Sequence, residues 1–187
     1  MCLINLWTIV VKSGRFSQKN NNNRLSGMFD GLLLSGTSTV SLDAKGRFLI
    51  PARYRQALLD QNEGTCVVTR SLFDKCLWLY PSEEWDTVVK TLGSLPTLQD
   101  PLCRTIQRVV LGNAVFCQLD AQGRLLLTPE LKAIAGLEKN AYLIGFNNKF
   151  ELWSEDNYNA QCAQDEETLA KAVASLSEHT ILNGLKL

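Results

Sequence analysis

The sequence has very few of the residues that bind metals. It contains one histidine among 187 residues, and no two of its six cysteines form a Cys-x-x-Cys pair. A structural zinc site needs four nitrogen or sulfur ligands at close spacing, so we expect no metal site and no metal cofactor. Most of the cysteines lie among apolar residues, as in Thr65-Cys66-Val67. We interpret them as small core side chains of a protein in the reducing cytoplasm.

The usual sequence features of enzymes and membrane proteins are also missing. No apolar stretch reaches the roughly 18 to 20 residues that a helix needs to span a membrane. His179 lies in the C-terminal tail with no nucleophile motif around it. The early glycines lack the lysine and the helix of a phosphate-binding loop. We therefore expect no catalytic activity, no small-molecule substrate, no cofactor and no membrane association.

Positive charge is distributed unevenly along the chain, which has 19 basic and 19 acidic residues. Residues 1–27 hold four basic residues and no acidic one, which leaves 15 basic against 19 acidic residues in the rest. An acidic body that binds DNA must concentrate its positive charge at a few points. The asparagine-rich segment 1–27 is expected to be disordered. We interpret it as a non-native leader, with a basic arm as the alternative and Met28 as the candidate start.

A short pattern occurs twice in the chain. Asp43 to Pro51 reads Asp-Ala-Lys-Gly-Arg-Phe-Leu-Ile-Pro, and Asp120 to Pro129 reads Asp-Ala-Gln-Gly-Arg-Leu-Leu-Leu-Thr-Pro. Aspartate suits the first position of a β-turn and glycine the fourth, so each copy predicts a turn followed by a returning strand. The proline then suits the first position of a helix. Repetition of the whole pattern indicates an internally duplicated structure.

The two halves of the chain show the same order of elements, β–turn–β–α–β–β–α. Ser82, Asp100 and Thr128 are the expected N-caps of their helices. One such unit cannot bury enough apolar surface by itself, so we expect an α+β fold in which two pseudo-twofold-related repeats interleave into one small barrel. The expected boundaries are 28–96 for the first repeat, 97–160 for the second and 161–187 for a helical tail.

Further motifs surround the two turns: Met28-Phe29-x-Gly31, Pro51-x-x-Tyr54-Arg55, Gln107-Arg108 before Gly112-Asn113-Ala114, and Gly145-x5-Glu151-Leu152-Trp153. Together with the doubled Asp-x-x-Gly-Arg they cover roughly residues 28–160. In this combination the chain resembles the MraZ family of bacterial transcriptional regulators, which is related in fold to AbrB-type DNA-binding domains. Between Gly31 and Leu42 the chain carries a few more residues than the family pattern.

The resemblance implies a double-split (swapped-hairpin) β-barrel with helices packed outside, and a ring-shaped homo-oligomer. It also implies sequence-specific binding of double-stranded DNA upstream of genes for cell division and cell-wall synthesis, the protein's own operon included. Such a regulator would be cytoplasmic and associated with the nucleoid. Because a ring repeats one contact at regular spacing, we expect it to recognise direct repeats in a promoter.

The resemblance places the DNA contacts on the two Asp-x-x-x-Arg turns, and the residue chemistry is compatible with that. Arginine can read guanine with two hydrogen bonds, and lysine suits a phosphate. The predicted DNA-binding residues are Lys45, Arg47, Arg53, Arg55, Gln122 and Arg124, with Asp43, Gly46, Asp120 and Gly123 supporting the loops. Because Gln122 replaces Lys45 in the second copy, and Arg53 and Arg55 follow the first, we expect the first turn to make the main contact.

Two alternatives remain open at this point. Each aspartate could pair with the arginine of its own turn and brace a hairpin, an exposed ion pair that contributes about 0–1 kcal/mol. The chain could also be a structural or protein-interaction oligomer that does not bind DNA, with Trp78, Trp85 and Trp153 on an exposed face. We expect these tryptophans in the core and at subunit contacts instead.

Overall fold

The strands and helices follow the order that the duplicated sequence predicts. The computed structural model describes residues 33–174. The expectations for the leader, for the start at Met28 and for residues 175–187 of the tail lie outside the described residues. The described part contains β1 (Leu34–Ser41), β2 (Arg47–Leu49), α1 (Ala52–Asp60), a 3-10 turn (Asn62–Gly64), β3 (Thr65–Arg70), β4 (Leu77–Pro81), α2 (Ser82–Gly93), α3 (Pro101–Gly112), β5 (Val115–Gln118), β6 (Arg124–Leu126), α4 (Pro129–Ala135), β7 (Asn140–Asn147), β8 (Lys149–Ser154) and α5 (Glu155–Ala174).

The strands form two antiparallel sheets, and the two halves of the chain alternate within them. The larger sheet has the order β1-β7-β8-β4-β3-β5, and the smaller one consists of β2 and β6. Only β3–β4 and β7–β8 pair within one half. The pairs β1–β7, β4–β8, β3–β5 and β2–β6 each join the first half to the second. The α+β class is thus confirmed, and neither half has a sheet of its own.

The strand after each turn pairs with a different partner from the one a simple hairpin would give it. Arg47–Leu49 is a strand as expected, but it pairs with Arg124–Leu126 of the other half and not with β1. Both strands have three residues, and their central side chains, Phe48 and Leu125, are buried at 1% and 0% exposure. Burying these two apolar groups against the sheet favours the exchange of partners, since water is excluded from both at once.

The core has two parts. The first consists of buried side chains outside the tryptophan cluster, among them Phe48, Ile50, Leu125 and Phe150. The second is a cluster that contains Val67, Tyr80 and Val110 together with the three tryptophans, Trp78, Trp85 and Trp153. The tryptophans are only 4–8% exposed, so the expectation that they belong to the core is confirmed. Cys66 and Cys76 are buried free thiols, and Cys103, Cys117 and Cys162 are half-buried.

The helix boundaries confirm most of the expected caps and correct two details. Asp100 Oδ1 accepts the Leu102 N–H at 2.8 Å, and Thr128 Oγ1 accepts the Leu131 N–H at 3.3 Å. The expected cap at Ser82 is wrong. Because β4 runs through Pro81, which takes the N-cap position, Ser82 is already helical, and its buried Oγ makes no hydrogen bond to any residue of 33–174. In the same way Pro51 precedes α1, which starts one residue later than expected.

Within 33–174, no helix combines the length and the apolar character needed to cross a membrane.

One buried hydrogen bond offers a direct test of how the second part of the core is held together. Thr69 is 0% exposed, and its Oγ1 donates to the Val110 carbonyl at 2.6 Å. That carbonyl lies in the last turn of α3, where helical carbonyls lack partners within the helix. We predict that Thr69→Val lowers the free energy of unfolding by about 1–3 kcal/mol in urea, because the buried carbonyl loses its donor. Thr91 Oγ1 also donates to a carbonyl, that of Thr87 one turn earlier on the exposed side of α2, so Thr91→Val should change stability by less than about 0.5 kcal/mol. Equal losses of unfolding free energy in the two variants would contradict the stabilising role given to the hydrogen bond from Thr69 to Val110.

Candidate nucleic-acid interface

The two repeated turns have nearly the same backbone geometry. The Gly46 N–H donates to the Asp43 carbonyl at 2.9 Å, and the Asp43 N–H donates to the Arg47 carbonyl at 2.8 Å. The corresponding distances in the second turn are 2.8 Å for Gly123 to Asp120 and 2.9 Å for Asp120 to Arg124. The glycines have φ values of +82° and +76°, a backbone conformation that side chains disfavour. The loop-supporting role predicted for both glycines therefore has a conformational reason.

Each aspartate holds its own turn and the arginine that follows it. Asp43 Oδ1 accepts the N–H groups of Lys45 and Arg47, both at 2.9 Å, and Asp43 Oδ2 accepts Arg47 Nε at 2.8 Å and Nη2 at 2.7 Å. Asp120 makes the same four contacts with Gln122 and Arg124, at 2.7 to 2.9 Å. The bracing ion pair left open by the sequence is thus present in both copies.

The hydrogen bonds keep both carboxylates ionised well into acid. For Asp43, the Arg47 backbone N–H followed by its guanidinium lowers the pKa from 3.8 to about 2. For Asp120, the guanidinium of Arg124 followed by its backbone N–H lowers the pKa to about 2. A carboxylate that accepts several N–H bonds is stabilised in its charged form. At neutral pH each turn therefore carries a permanently ionised, fully engaged aspartate.

The arginines retain part of their hydrogen-bonding capacity. Arg47 uses Nε and Nη2 for Asp43, and its Nη1 makes no hydrogen bond with any residue of the described part. Arg124 is held through the same two atoms. Both side chains are 28% exposed. A guanidinium has five N–H donors in a rigid fork, so each arginine is oriented by its aspartate and still able to bind a second acceptor.

Strand register places both arginines on one surface. In the β2–β6 ladder Arg47 lies opposite Leu126, and Leu49 lies opposite Arg124. Because side chains alternate along a strand, the buried Phe48 and Leu125 point inward, and the other four residues share the outer side. We refer to Arg47, Leu49, Arg124 and Leu126 as the ladder face. The two arginines are diagonal neighbours on it, with Cα atoms about 7–8 Å apart.

Each turn is completed by a cation from the other half of the chain. The Leu127 N–H donates to the Gly46 carbonyl, and the Ile50 N–H donates to the Gly123 carbonyl, both at 3.0 Å. These bonds bring the start of each helix beside the opposite turn. A Cβ on Gly46 would lie 3.3 Å from Lys132 Cδ, and a Cβ on Gly123 would overlap Arg55 Cδ. The helix after one turn therefore places its cation against the other turn.

This arrangement corrects one expectation and adds a residue. Arg55 was expected to extend the first turn, but the antiparallel β2–β6 pairing places it on the second, with its Nε donating to the Ile50 carbonyl at 2.6 Å. Lys132, which lies on the first turn, was missed by the sequence reasoning. Placing the second copy of the repeat under the first aligns Lys132 with Arg55, and that alignment was the signal available in the sequence.

The remaining predicted residues fall into two groups. Lys45 and Gln122 are exposed at the tips of the turns. Arg53 is not brought together with them. Its Nη2 donates to Ser38 Oγ at 2.9 Å, beside Gly36, and its guanidinium lies 4.7 Å from the centre of the Tyr54 ring. The structure thus places Arg53 against the middle of β1, whereas the other five predicted contact residues lie in or across the turns.

One cluster elsewhere contains ligand types that metals use. Asp74, Cys76 and Glu151 place one ligand atom each within 4.8 Å of one another. Burial, with the nearby Glu151 carboxylate, raises the pKa of the Cys76 thiol to about 12. Among the described residues the cluster offers three candidate ligands, fewer than the four that a structural zinc site requires.

Comparison with known proteins gives consistent matches over this region. The family model described as "MraZ protein, putative antitoxin-like" matches twice, at residues 33–109 and 110–178. A relative from Pseudoalteromonas translucida named "Transcriptional regulator MraZ" is 44% identical over 135 residues, which cover 72% of this chain and 88% of the relative. A relative of the same name from Escherichia coli K12 is 41% identical over 146 residues, covering 78% and 95%. One from Haemophilus influenzae Rd is 44% identical over 133 residues, covering 71% and 87%.

The braced turns predict a specific acid titration. A carboxylate whose pKa is lower in the folded state stabilises the fold fully above its unfolded pKa, and that contribution is lost as the pH falls through its folded pKa. We therefore expect stability to decline between about pH 4 and about pH 2, as Asp43 and Asp120 become protonated. Carboxyl carbon NMR should show both groups titrating with a pKa of about 2.

A variant of one turn uses the other as its control. Arg124→Gln removes the largest cause of the low pKa of Asp120, so that pKa should rise toward 3.8 while the pKa of Asp43 stays at about 2. If Asp120 titrated at 3.8 in the unaltered protein, the ion pair with Arg124 would not exist in solution.

Proposed function

The chain belongs to the MraZ family, and from this premise we propose that it is a sequence-specific DNA-binding transcriptional regulator. The observation that carries the proposal is the pair of aspartate-braced arginines on one outer face of the β2–β6 ladder. Curated relatives that share 41–44% identity with this chain are named transcriptional regulators. A regulator needs a surface that reads DNA, and this face has the chemistry for it.

The proposed contacts divide into reading and positioning. Arg47 and Arg124 direct their remaining N–H groups to guanine O6 and N7 in the major groove, where a bidentate contact is worth about 1–3 kcal/mol of discrimination. Lys45 and Lys132 bind phosphates on either side of the first turn and contribute no sequence information. Asp43 and Asp120 do not contact DNA. The arginines that they orient already compensate their negative charge, which reduces the repulsion that a free carboxylate would exert on a DNA phosphate.

The proposal extends to the architecture. β1 continues through the first turn into β2, and β5 continues through the second turn into β6, so the small ladder connects the two edge strands of the large sheet. That connectivity supports the double-split barrel implied by the resemblance. Outside residues 1–27 the chain has more acidic than basic residues. We propose that a ring-shaped homo-oligomer compensates by presenting the same face several times, so that weak contacts add through high effective concentration.

The proposed targets are direct repeats in the promoters of genes for cell division and cell-wall synthesis, including the protein's own operon, bound in the cytoplasm at the nucleoid. DNA footprinting on the region upstream of the protein's own gene tests this. Protection of regularly spaced repeats supports the proposal. An intact oligomer that protects nothing at low salt favours the alternative, a structural or protein-interaction assembly.

The first variant to test is Arg47→Ala. We predict that it weakens operator binding by roughly tenfold or more per contact, because one bidentate base contact is lost. The oligomer should remain intact on size exclusion, since Arg47 lies on the outer face. Arg108→Ala, which removes the same charge from an exposed position of α3, is the matched control and should bind normally. Loss of the oligomer in Arg47→Ala would instead assign Arg47 a bracing role only.

Substitution of Lys132 tests whether a cation from the second half of the chain contributes to DNA binding at the first turn. If Lys132 binds a phosphate, Lys132→Gln should reduce the slope of log affinity against log salt by about 0.9 for each such contact. The substitution should weaken binding to specific and to non-specific DNA by the same factor. Lys90→Gln removes an equivalent charge from exposed α2 and should leave the slope unchanged. An unchanged slope in Lys132→Gln would remove this residue from the interface.

A further inference from the structure

The ladder face contains two apolar side chains that the contacts proposed above do not use. Leu49 is 44% exposed and Leu126 is 51% exposed, on strands whose neighbouring residues Phe48 and Leu125 are almost completely buried. Strand alternation fixes their direction, so neither can turn inward without a shift in register. Each lies directly opposite an arginine, Leu126 across from Arg47 and Leu49 across from Arg124. The ladder face therefore consists of two arginines and two leucines.

We propose that Leu126 and Leu49 contact the 5-methyl groups of thymines next to the guanines that Arg47 and Arg124 read. This inference rests on the proposed DNA-binding function and makes it more specific. In the major groove, the thymine methyl is the apolar feature that a hydrocarbon side chain can recognise. An arginine and a leucine side by side thus match a guanine and a thymine in neighbouring base pairs.

The spacing agrees with this assignment. Opposite residues on antiparallel strands have Cβ atoms about 4.5–5.5 Å apart. Successive bases of one DNA strand are separated by about 3.4 Å along the helix axis. The leucine opposite an arginine therefore reaches one or two base pairs from the base that the arginine contacts. Leu126 lies opposite Arg47, next to the first turn with Lys45 and Lys132. We therefore expect the thymine that Leu126 contacts to contribute more to affinity than the thymine that Leu49 contacts.

The charge around the ladder face favours DNA over a second copy of the chain as the molecule that binds there. At one end of the ladder Lys45 is exposed at the tip of the first turn and Lys132 lies against Gly46, and at the other end Arg55 lies against Gly123. The carboxylates of the two turns, Asp43 and Asp120, are already engaged by arginines. A surface that presents two exposed leucines beside two arginines, with further cations at both ends of the ladder, suits a polyanion that also offers methyl groups, and duplex DNA has both. Burial of the same leucines between subunits is the alternative that the experiment distinguishes.

The test uses deoxyuridine, which pairs like thymidine but lacks the 5-methyl group. Thymines of a footprinted operator are replaced one at a time, and the affinity of the unaltered full-length protein is measured at fixed salt. We expect a loss of about fourfold, the effect of removing one buried methyl, at a thymine one or two positions from an essential guanine. Unchanged affinity at every thymine overturns the proposal while leaving DNA binding itself established.

A coupled variant identifies the side chain. In Leu126→Ala the affinity for the normal operator should fall by a similar factor, and the sensitive thymine should no longer respond to deoxyuridine. Leu169→Ala, at a 64% exposed position of α5, is the control and should keep full sensitivity. If every thymine that is sensitive with the unaltered protein stays sensitive in Leu126→Ala, or if the oligomer dissociates in that variant, the assignment of Leu126 is overturned. If the unaltered protein bound no upstream DNA at all, the proposed function itself would fail, which is a distinct result.

Discussion

The antiparallel pairing of β2 with β6 is the interaction on which the rest of the candidate site depends. It joins strands from the two halves of the chain at only three residue pairs, yet it determines which residues meet. The register directs Phe48 and Leu125 into the core and turns both arginines to one surface. It also brings each helix start beside the opposite turn. Loss of this one ladder would separate Arg47 from Lys132 and Arg124 from Arg55.

Stability and the candidate function are therefore coupled in the same few residues. A three-residue strand gains little from its own hydrogen bonds, and an isolated ladder of this length would be marginal in water. Its stability comes from the buried central side chains and from the two backbone bonds that extend it, Leu127 to Gly46 and Ile50 to Gly123. Those bonds end on the glycines of the two turns. The groups that secure the ladder thus also fix the loops that carry the arginines.

Sequence reasoning succeeded where the physical signal is local. The turns, the caps at Asp100 and Thr128 and the buried tryptophans follow from short-range chemistry and apolar spacing. The partner of β2 could not be derived in this way, because a three-residue strand with one buried side chain fits many neighbours equally well. The position of Arg55 depends on that partner, so it was wrongly assigned to the first turn. Ser82 failed as a cap for a related reason: the length of β4, set by its sheet neighbours, decided where the helix began.

Each turn receives a cation from the other half of the chain, and this changes the reason for proposing the first turn as the main DNA contact. The first turn remains the proposed main contact. Arg53 and Arg55 no longer support it, since one lies on β1 and the other on the second turn. Lys132 takes their place. Arg55 commits its Nε to a backbone carbonyl, whereas a lysine carries three rotatable donors on a flexible stem. Lys45 at its tip and Lys132 across its glycine are the reason we propose the first turn as the one that binds phosphates on two sides of Arg47. The second turn has Gln122 at its tip and a partly engaged arginine, which suits it to the weaker contact.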